Sequence, residues 1–251
     1  MRQKTFLPAT IAFVLLVAIW ELVVNLAHIP SYLLPTPSQI AKTLWNDFPE
    51  LLSALFSSSL CAIGGFLLSA LFGISFSLSL SVSPLLEQAF YPYAVFFQTV
   101  PIVAIAPLLV IWFGYGAPTV TVSAFIVSVF PVITNTTAGI RSTDIPLREL
   151  FQLYGAGRWK TLWNLKFPFA LPQIFTGLRI AAGLAVIGTI VGEFVGGGGL
   201  GGIVDSSRTQ QRVDRVFAAI ALGSILGLVL IKGIDLLSSL CLKRWHASER
   251  D

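Results

Sequence analysis

The stretch RSTDIPLRELFQLYGAGRWKTLWNLKFPFAL, Arg141 to Leu171, is a polar island between two long apolar segments. Five of the chain's 16 Lys and Arg residues fall inside it: Arg141, Arg148, Arg158, Lys160 and Lys166. Gly155 and Gly157 mark its middle, Pro168 and Pro172 its end. Apolar Leu150, Phe151, Leu153 and Tyr154 before the glycines, and Trp159, Leu162 and Trp163 after them, predict two short helices joined by a glycine turn. Such glycines allow a sharp bend or a close approach by another backbone. Aromatic residues and Arg158 beside the bend are the types that anchor interfaces, so the island reads as a surface on which another protein docks. The competing reading is an amphipathic loop lying on anionic lipid headgroups.

Working outward, the 251 residues are 55% hydrophobic and only 11% charged, with a mean hydropathy of +0.82. Soluble domains carry about 25% charged residues, so this is an integral membrane protein. The net charge of +4 is spread over loops and termini. That pattern excludes a nucleic-acid stripe and fits loop charges that set topology. Cys61 and Cys241 fall in separate apolar segments without disulfide or metal spacing and read as small buried hydrophobes. His28 and His246 lack a carboxylate or cysteine cluster, so no metal site is expected. Arg2 and Lys4 before an apolar run mimic a signal peptide, but that run exceeds an h-region of about 7–15 residues and lacks a small-x-small cleavage site before Glu21. It reads as a retained first span.

Crossing the hydrocarbon core takes about 20 apolar residues. Six segments qualify: Phe6–Ala27, Leu51–Val82, Gln88–Phe113, Thr119–Ile140, Gln173–Val195 and Val216–Leu242. No period-2 alternation runs through them, which excludes a β-barrel. The fold class expected is therefore all-α: a polytopic membrane bundle of six transmembrane helices, one domain over residues 1–251. Ile29–Glu50 reads as an outer connector with Ser38 capping an amphipathic piece from Gln39. Pro92, Pro101 and Pro107 predict a kinked or broken third span. Gly196–Gly202 (GGGGLGG) reads as a flexible outer loop, and its formal G-x-G-x-x-G follows no strand, so no dinucleotide site is expected. Lys160-Thr161 ends like a P-loop, yet Trp159 stands where glycine is required. The chain cannot bind ATP by that route.

Six spans put both termini on one side. Arg2, Lys4, the five island cations, Arg179, Lys243, Arg244 and Arg250 make 11 on that side, against Lys42, Arg208, Arg212 and Arg215 on the other. The excess places the island (residues 141–172) and both termini in the cytoplasm. Lys232 lies within the bilayer with Glu193 and Asp235, and intramembrane charges are functional candidates by default. Lys232 and Asp235, three apart on one helix, are expected to pair. Glu193 either shapes the outer mouth or is an interfacial carboxylate. Gln98, Thr99, Thr134, Asn135, Thr136 and Thr137 either line a path or hydrogen-bond between helices. Arg179 is placed to meet an anionic cargo.

The island resembles the EAA loop of ATP-binding cassette importer permeases, a pattern written EAA-x3-G-x9-I-x-L-P. Glu149, Gly155 and Pro168 fall on it at the right spacing, with Leu165 and Phe167 as its apolar pair. Leu150 and Phe151 replace the two alanines. LLPTPSQ (Leu33–Gln39), VPIVAIAPLLVIWFGYG (Val100–Gly116), LPQIFTGLR (Leu171–Arg179) and GEFVGGGGLG (Gly192–Gly201) are similar to the branch that carries nitrate, sulfonate, taurine, bicarbonate or a pyrimidine-like vitamin precursor. Cys61 stands where relatives often carry a basic residue.

That resemblance implies a type I (MetI-like) permease fold in the bacterial inner membrane, multi-pass, without catalysis of its own. It implies that Glu149, Gly155, Ala156, Gly157 and Arg158, with Pro168 behind them, meet ATPase subunits that hold ATP and Mg. It further implies a second copy of the chain and a periplasmic or lipid-anchored solute-binding protein. Two readings from other classes stand beside it: a proton-coupled secondary carrier using Glu193, Lys232 and Asp235, and a non-transporting membrane scaffold.

Overall fold

The computed structural model describes residues 6–242, and among these every regular element is a helix. Arg2, Lys4, Lys243, Arg244, His246 and Arg250 lie outside the described residues. Four helices are long and apolar enough to cross a membrane: Phe48–Leu80, Ala117–Arg141, Arg158–Gly196 and Val213–Leu242. Thr10–Leu26 and Ile102–Phe113 are shorter apolar helices.

Helix α1 (Phe6–Leu26) presents Phe13, Leu15, Leu16 and Ile19 outward. Glu21 near its end is spent on its neighbour: Ser38 donates its N–H to Oε2 at 3.0 Å and its hydroxyl to Oε1 at 2.8 Å. A carboxylate is thus set at the start of α2 (Pro37–Asn46), where unsatisfied N–H groups favour negative charge. The N-cap of α2 is Thr36, not Ser38. Thr36 and Gln39 form a reciprocal capping box, and Pro37 occupies the first turn, where its missing N–H costs nothing.

Helix α3 (Phe48–Leu80) runs 33 residues. Its serines cross to α6 (Ala117–Arg141): Ser69 bonds the Ser128 hydroxyl at 2.6 Å and donates to Phe125 O, and Ser77 donates to Ile133 O. The proline-rich third segment is two helices, α4 (Pro84–Gln98) and α5 (Ile102–Phe113). Pro101 sets the break, since it disfavours helical geometry in the residue before it. Pro92 and Pro107 stay inside their helices.

The core is α6 against α9 (Phe167–Gly196), with α3 and α11 (Val213–Leu242) on the flanks. Small residues make the closest crossings. A Cβ at Gly188 would sit 2.8 Å from Ser123 O, and one at Gly192 3.0 Å from Val120 Cα. With little hydrophobic drive between helices in lipid, such backbone approach and van der Waals contact supply the association.

Two expectations about the ends of α9 fail. The second short island helix is continuous with the span: α8 (Arg158–Thr161), a π-helical turn (Leu162–Lys166) and α9 form one 39-residue rod. Pro168 sits in the first turn of α9, and the wider π turn before it absorbs the carbonyl that its ring would crowd. The glycine run, expected as a flexible outer loop, is largely helical. Only Gly197 and Gly198 are outside helix; Gly199–Thr209 is α10, with Leu200, Gly201, Ile203 and Ser207 buried. Cys61 is buried as expected, but Cys241 is exposed.

Candidate functional site

The island forms an elbow. Helix α7 (Ile145–Leu153) follows α6 after Ser142–Asp144, and Arg148 donates to the carbonyls of Ile140 and Arg141 at the end of α6. α7 ends in a Schellman turn: Ala156 N–H reaches Phe151 O at 2.9 Å and Gly155 N–H reaches Gln152 O at 2.9 Å, with Gly155 left-handed at φ +65°. Gly155 therefore supplies the bend, and no atom lies within 4 Å of where its Cβ would be. Gly157, at φ −65°, opens α8.

Glu149 and Arg158 are exposed on the two sides of this bend, and Ala156 is half-buried between them. The apolar residues around them are bare: Leu153 is 85% exposed, Tyr154 83% and Trp159 63%. The bend is rimmed by aromatics and cations and is rooted in the rod that forms the core.

Two of the candidate polar groups of α6 bond within their own helix. Thr134 donates to Phe130 O, and Asn135 Nδ2 to Pro131 O at 2.8 Å, supplying Pro131's turn with a second donor. Thr136 and Thr137 are buried, with Oγ1 atoms that find no hydrogen-bond partner. Gln98 and Thr99 are exposed at the α4–α5 break, where Thr99 donates to Phe96 O. Arg179 is set apart from these. Its Nε pairs with Asp235 Oδ1 at 3.3 Å, and Lys232 reaches Asp235 Oδ2 at 3.6 Å. The Lys232–Asp235 pair is as expected; the third member is new.

At the opposite end of α9, Glu193 is only 2% exposed. Ser58 of α3 donates to Oε1 at 2.7 Å, Gly201 N–H donates to Oε2 at 2.9 Å, and Leu200 N–H donates to the Ser58 hydroxyl at 2.9 Å. Two N–H groups of the first turn of α10 are thus satisfied through one carboxylate and one serine. Left-handed Gly197, Gly198 and Gly199 make the reversal, and a Cβ on Gly199 would strike the Glu193 carboxylate. A polar cavity of about 590 Å³ opens beside this latch, lined by Glu50, Ser53, Ser57, Tyr115 and Asp205 among others. The latch defines Glu193 as the anchor of α10.

Sequence reasoning missed the clamp above it. Arg215 bridges Asp47 at 3.2 Å and also Glu50, while Arg212 bridges Asp47 at 3.2 Å and Asp214 at 3.4 Å. Thr43 donates to Asp214 at 2.6 Å. Two of the arginines that stood against the charge bias, Arg212 and Arg215, are therefore paired with acids of the α2–α3 junction, and the third, Arg208, with Asp205 of α10. Asp47 and Glu50 on the same side as Arg212 and Arg215 were the available signal. Among the described residues no group of three His, Cys, Asp or Glu is placed to hold a metal.

Residues 65–244 match the family described as binding-protein-dependent transport system inner membrane component. The chain belongs to this family. The family includes relatives similar over nearly full length. The formylaminopyrimidine transport permease protein of Halalkalibacterium halodurans is 37% identical over 96% of this chain and 97% of its own. The riboflavin transport system permease protein of Chloroflexus aurantiacus is 34% identical over 96% and 90%. The taurine transport system permease protein of Escherichia coli is 30% identical over 98% and 91%. The four long apolar helices among the described residues agree with an inner membrane component.

Proposed function

We propose that the chain is the membrane-spanning permease subunit of an ATP-driven importer for a small solute, powered by a separate ATPase. The observation that carries this reading is the elbow: a rigid, exposed, aromatic-rimmed bend continuous with a 39-residue rod through the core. Force applied at Arg158 reaches Gly196 without crossing a loop. Coupling between a motor and a distant gate needs such a rigid two-ended element.

In this reading α1 and the α4–α5 pair complete six crossings, both termini face the cytoplasm, and the protein lies in a bacterial inner membrane. One chain offers one elbow, so two copies related by a two-fold axis and two ATPase subunits form the transporter. Glu149, Gly155, Ala156, Gly157 and Arg158 meet the ATPase, which holds ATP and Mg, and Pro168 fixes the exit of the elbow. A solute-binding protein delivers cargo to the end bearing α10. Gln98, Thr99, Thr134, Asn135 and the Glu193 cavity line the path. We leave Arg179 out of that path, because Gly177 faces α6 and Arg179 lies about 200° further round α9, toward α11. The relatives named for formylaminopyrimidine, riboflavin and taurine support a small solute of the nitrate, sulfonate, taurine or bicarbonate type, or a pyrimidine-like vitamin precursor.

Co-purification with the ATPase tests the elbow. Arg158→Glu is expected to cut recovery of the ATPase at least tenfold with the permease still folded. Undiminished recovery overturns the placement of the motor.

A further inference from the structure

The faces of α9 and α11 that turn away from α6 carry a charged cleft of about 770 Å³, lined by Thr176, Arg179, Lys232, Asp235, Ser238 and Ser239 among others. Asp235 sits between the two cations, leaving the cluster one positive charge in excess. Its members are open to the outside of the bundle: the side chains of Arg179, Lys232 and Asp235 are 58%, 76% and 32% exposed. Charges on an outer face of a membrane bundle are expensive unless they meet water, headgroups or protein.

Their depth is informative. At 1.5 Å per residue, Arg179 lies roughly 26 Å from Gly196 along α9, and Lys232 roughly 28 Å from Val213 along α11. The hydrocarbon core is about 30 Å thick. With the outer ends of both helices at one boundary, the charged cleft falls at the other.

Immediately toward the outer side, the same two helices enclose a second cavity of about 290 Å³, lined almost wholly by apolar or small residues such as Gly183, Ile187, Ile190, Ile220, Gly223 and Gly227. Gly183 is one turn beyond Arg179, and Gly227 little more than one turn from Lys232. A cationic, hydroxyl-lined pocket at headgroup depth thus lies about one helical turn from a narrow apolar groove on the same two helices.

We propose that this composite site holds one anionic phospholipid of the inner leaflet, its phosphate on Arg179 and Lys232 and one acyl chain in the groove. The inference rests on the membrane orientation proposed above, not on the transported solute. Basic pockets between helices on the cytoplasmic side recognise headgroups in this way. Free phosphate would leave the groove unused. A second copy meeting this face on a two-fold axis would oppose its own surplus positive charge.

The test is native mass spectrometry of the purified full chain with equal amounts of phosphatidylglycerol and phosphatidylcholine of matched acyl chains. Wild type is expected to retain phosphatidylglycerol in preference, unaffected by millimolar inorganic phosphate. Lys232→Gln, at an already exposed position, should lower that preference about fivefold. Gly223→Phe should reduce occupancy by both lipids, because its ring fills the groove. Equal retention of the two lipids, displacement by inorganic phosphate, or a Lys232→Gln variant that loses dimer but not lipid overturns the proposal. Bound lipid is read without transport, so its failure leaves the importer reading standing, and loss of ATP coupling with lipid retained would count against that reading alone.

Discussion

Glu193 Oε2 accepts the Gly201 N–H at 2.9 Å across a reversal of three left-handed glycines, so the last turn of α9 holds the first turn of α10. Its other oxygen takes the Ser58 hydroxyl from α3. Three segments meet on one buried carboxyl group. Removing it leaves the Gly201 N–H and the Ser58 hydroxyl without their acceptor, at about 1–3 kcal/mol for each buried group left unpaired.

Glu193→Ala should therefore lower the unfolding temperature in detergent by several degrees, and Glu193→Gln, which keeps a carbonyl acceptor, by less. A cysteine at Ser207, buried in α10, should become reactive to a soluble maleimide in Glu193→Ala. Wild-type stability and an unreactive cysteine in Glu193→Ala contradict the anchor.

Gly155 and Gly157 separate backbone from contact. Gly155 is at φ +65° with open space around its missing Cβ, so Gly155→Ala costs roughly 1–2 kcal/mol of local conformation without a clash. Gly157 is at φ −65°, which any residue adopts. Gly155→Ala is expected to weaken ATPase association several-fold by distorting the Schellman turn. Gly157→Ala should leave the elbow intact, so any loss there measures close approach by the partner. Equal tolerance of both contradicts the role given to the turn.

Gly188 and Gly192 set the spacing of α6 and α9. Gly188→Val should cost about 1–3 kcal/mol by overpacking against Ser123 O and the Ala124 backbone. Gly227→Ala, with nothing within 4 Å, should be near neutral. Thermal unfolding of the two variants distinguishes them, and similar midpoints contradict the packing account.

The clamp of Arg212 and Arg215 on Asp47 predicts coupling between distant residues. Arg215 and Asp47 are 12% and 22% exposed in their side chains. A double-mutant cycle over Arg215→Ala and Asp47→Ala should return about 1 kcal/mol, discounted for partial exposure. Additive effects mean that the bridge contributes nothing to holding α2–α3 on α11.

What the sequence shows and hides follows from the range of the forces involved. Four of the six expected spans, the glycine bend and the Lys232–Asp235 pair were legible because each depends on neighbours within one helix or one turn. Pro168 read as marking the end of the polar island, because the π turn that carries the helix through it has no signal in the sequence. Gly199–Gly202 read as a loop because glycine is a poor helix former; α10 forms there through Glu193 and Ser58, the latter 142 residues from Leu200. Thr36 and Ser38 both offer capping hydroxyls, and the choice fell to Thr36 because Gln39 lies three residues after it and Glu21 arrives from α1 to bind Ser38.

The central claim is that this bundle is moved by a partner's ATP hydrolysis through the Gly155 elbow. Its most direct test is solute uptake into liposomes holding the permease with its ATPase and binding protein, with ATP inside or absent, for wild type and Arg158→Glu. The account predicts accumulation only with ATP and the ATPase, abolished by Arg158→Glu while lipid-reconstituted protein remains folded. Accumulation by the permease alone, driven by a proton gradient and indifferent to ATP, would contradict it.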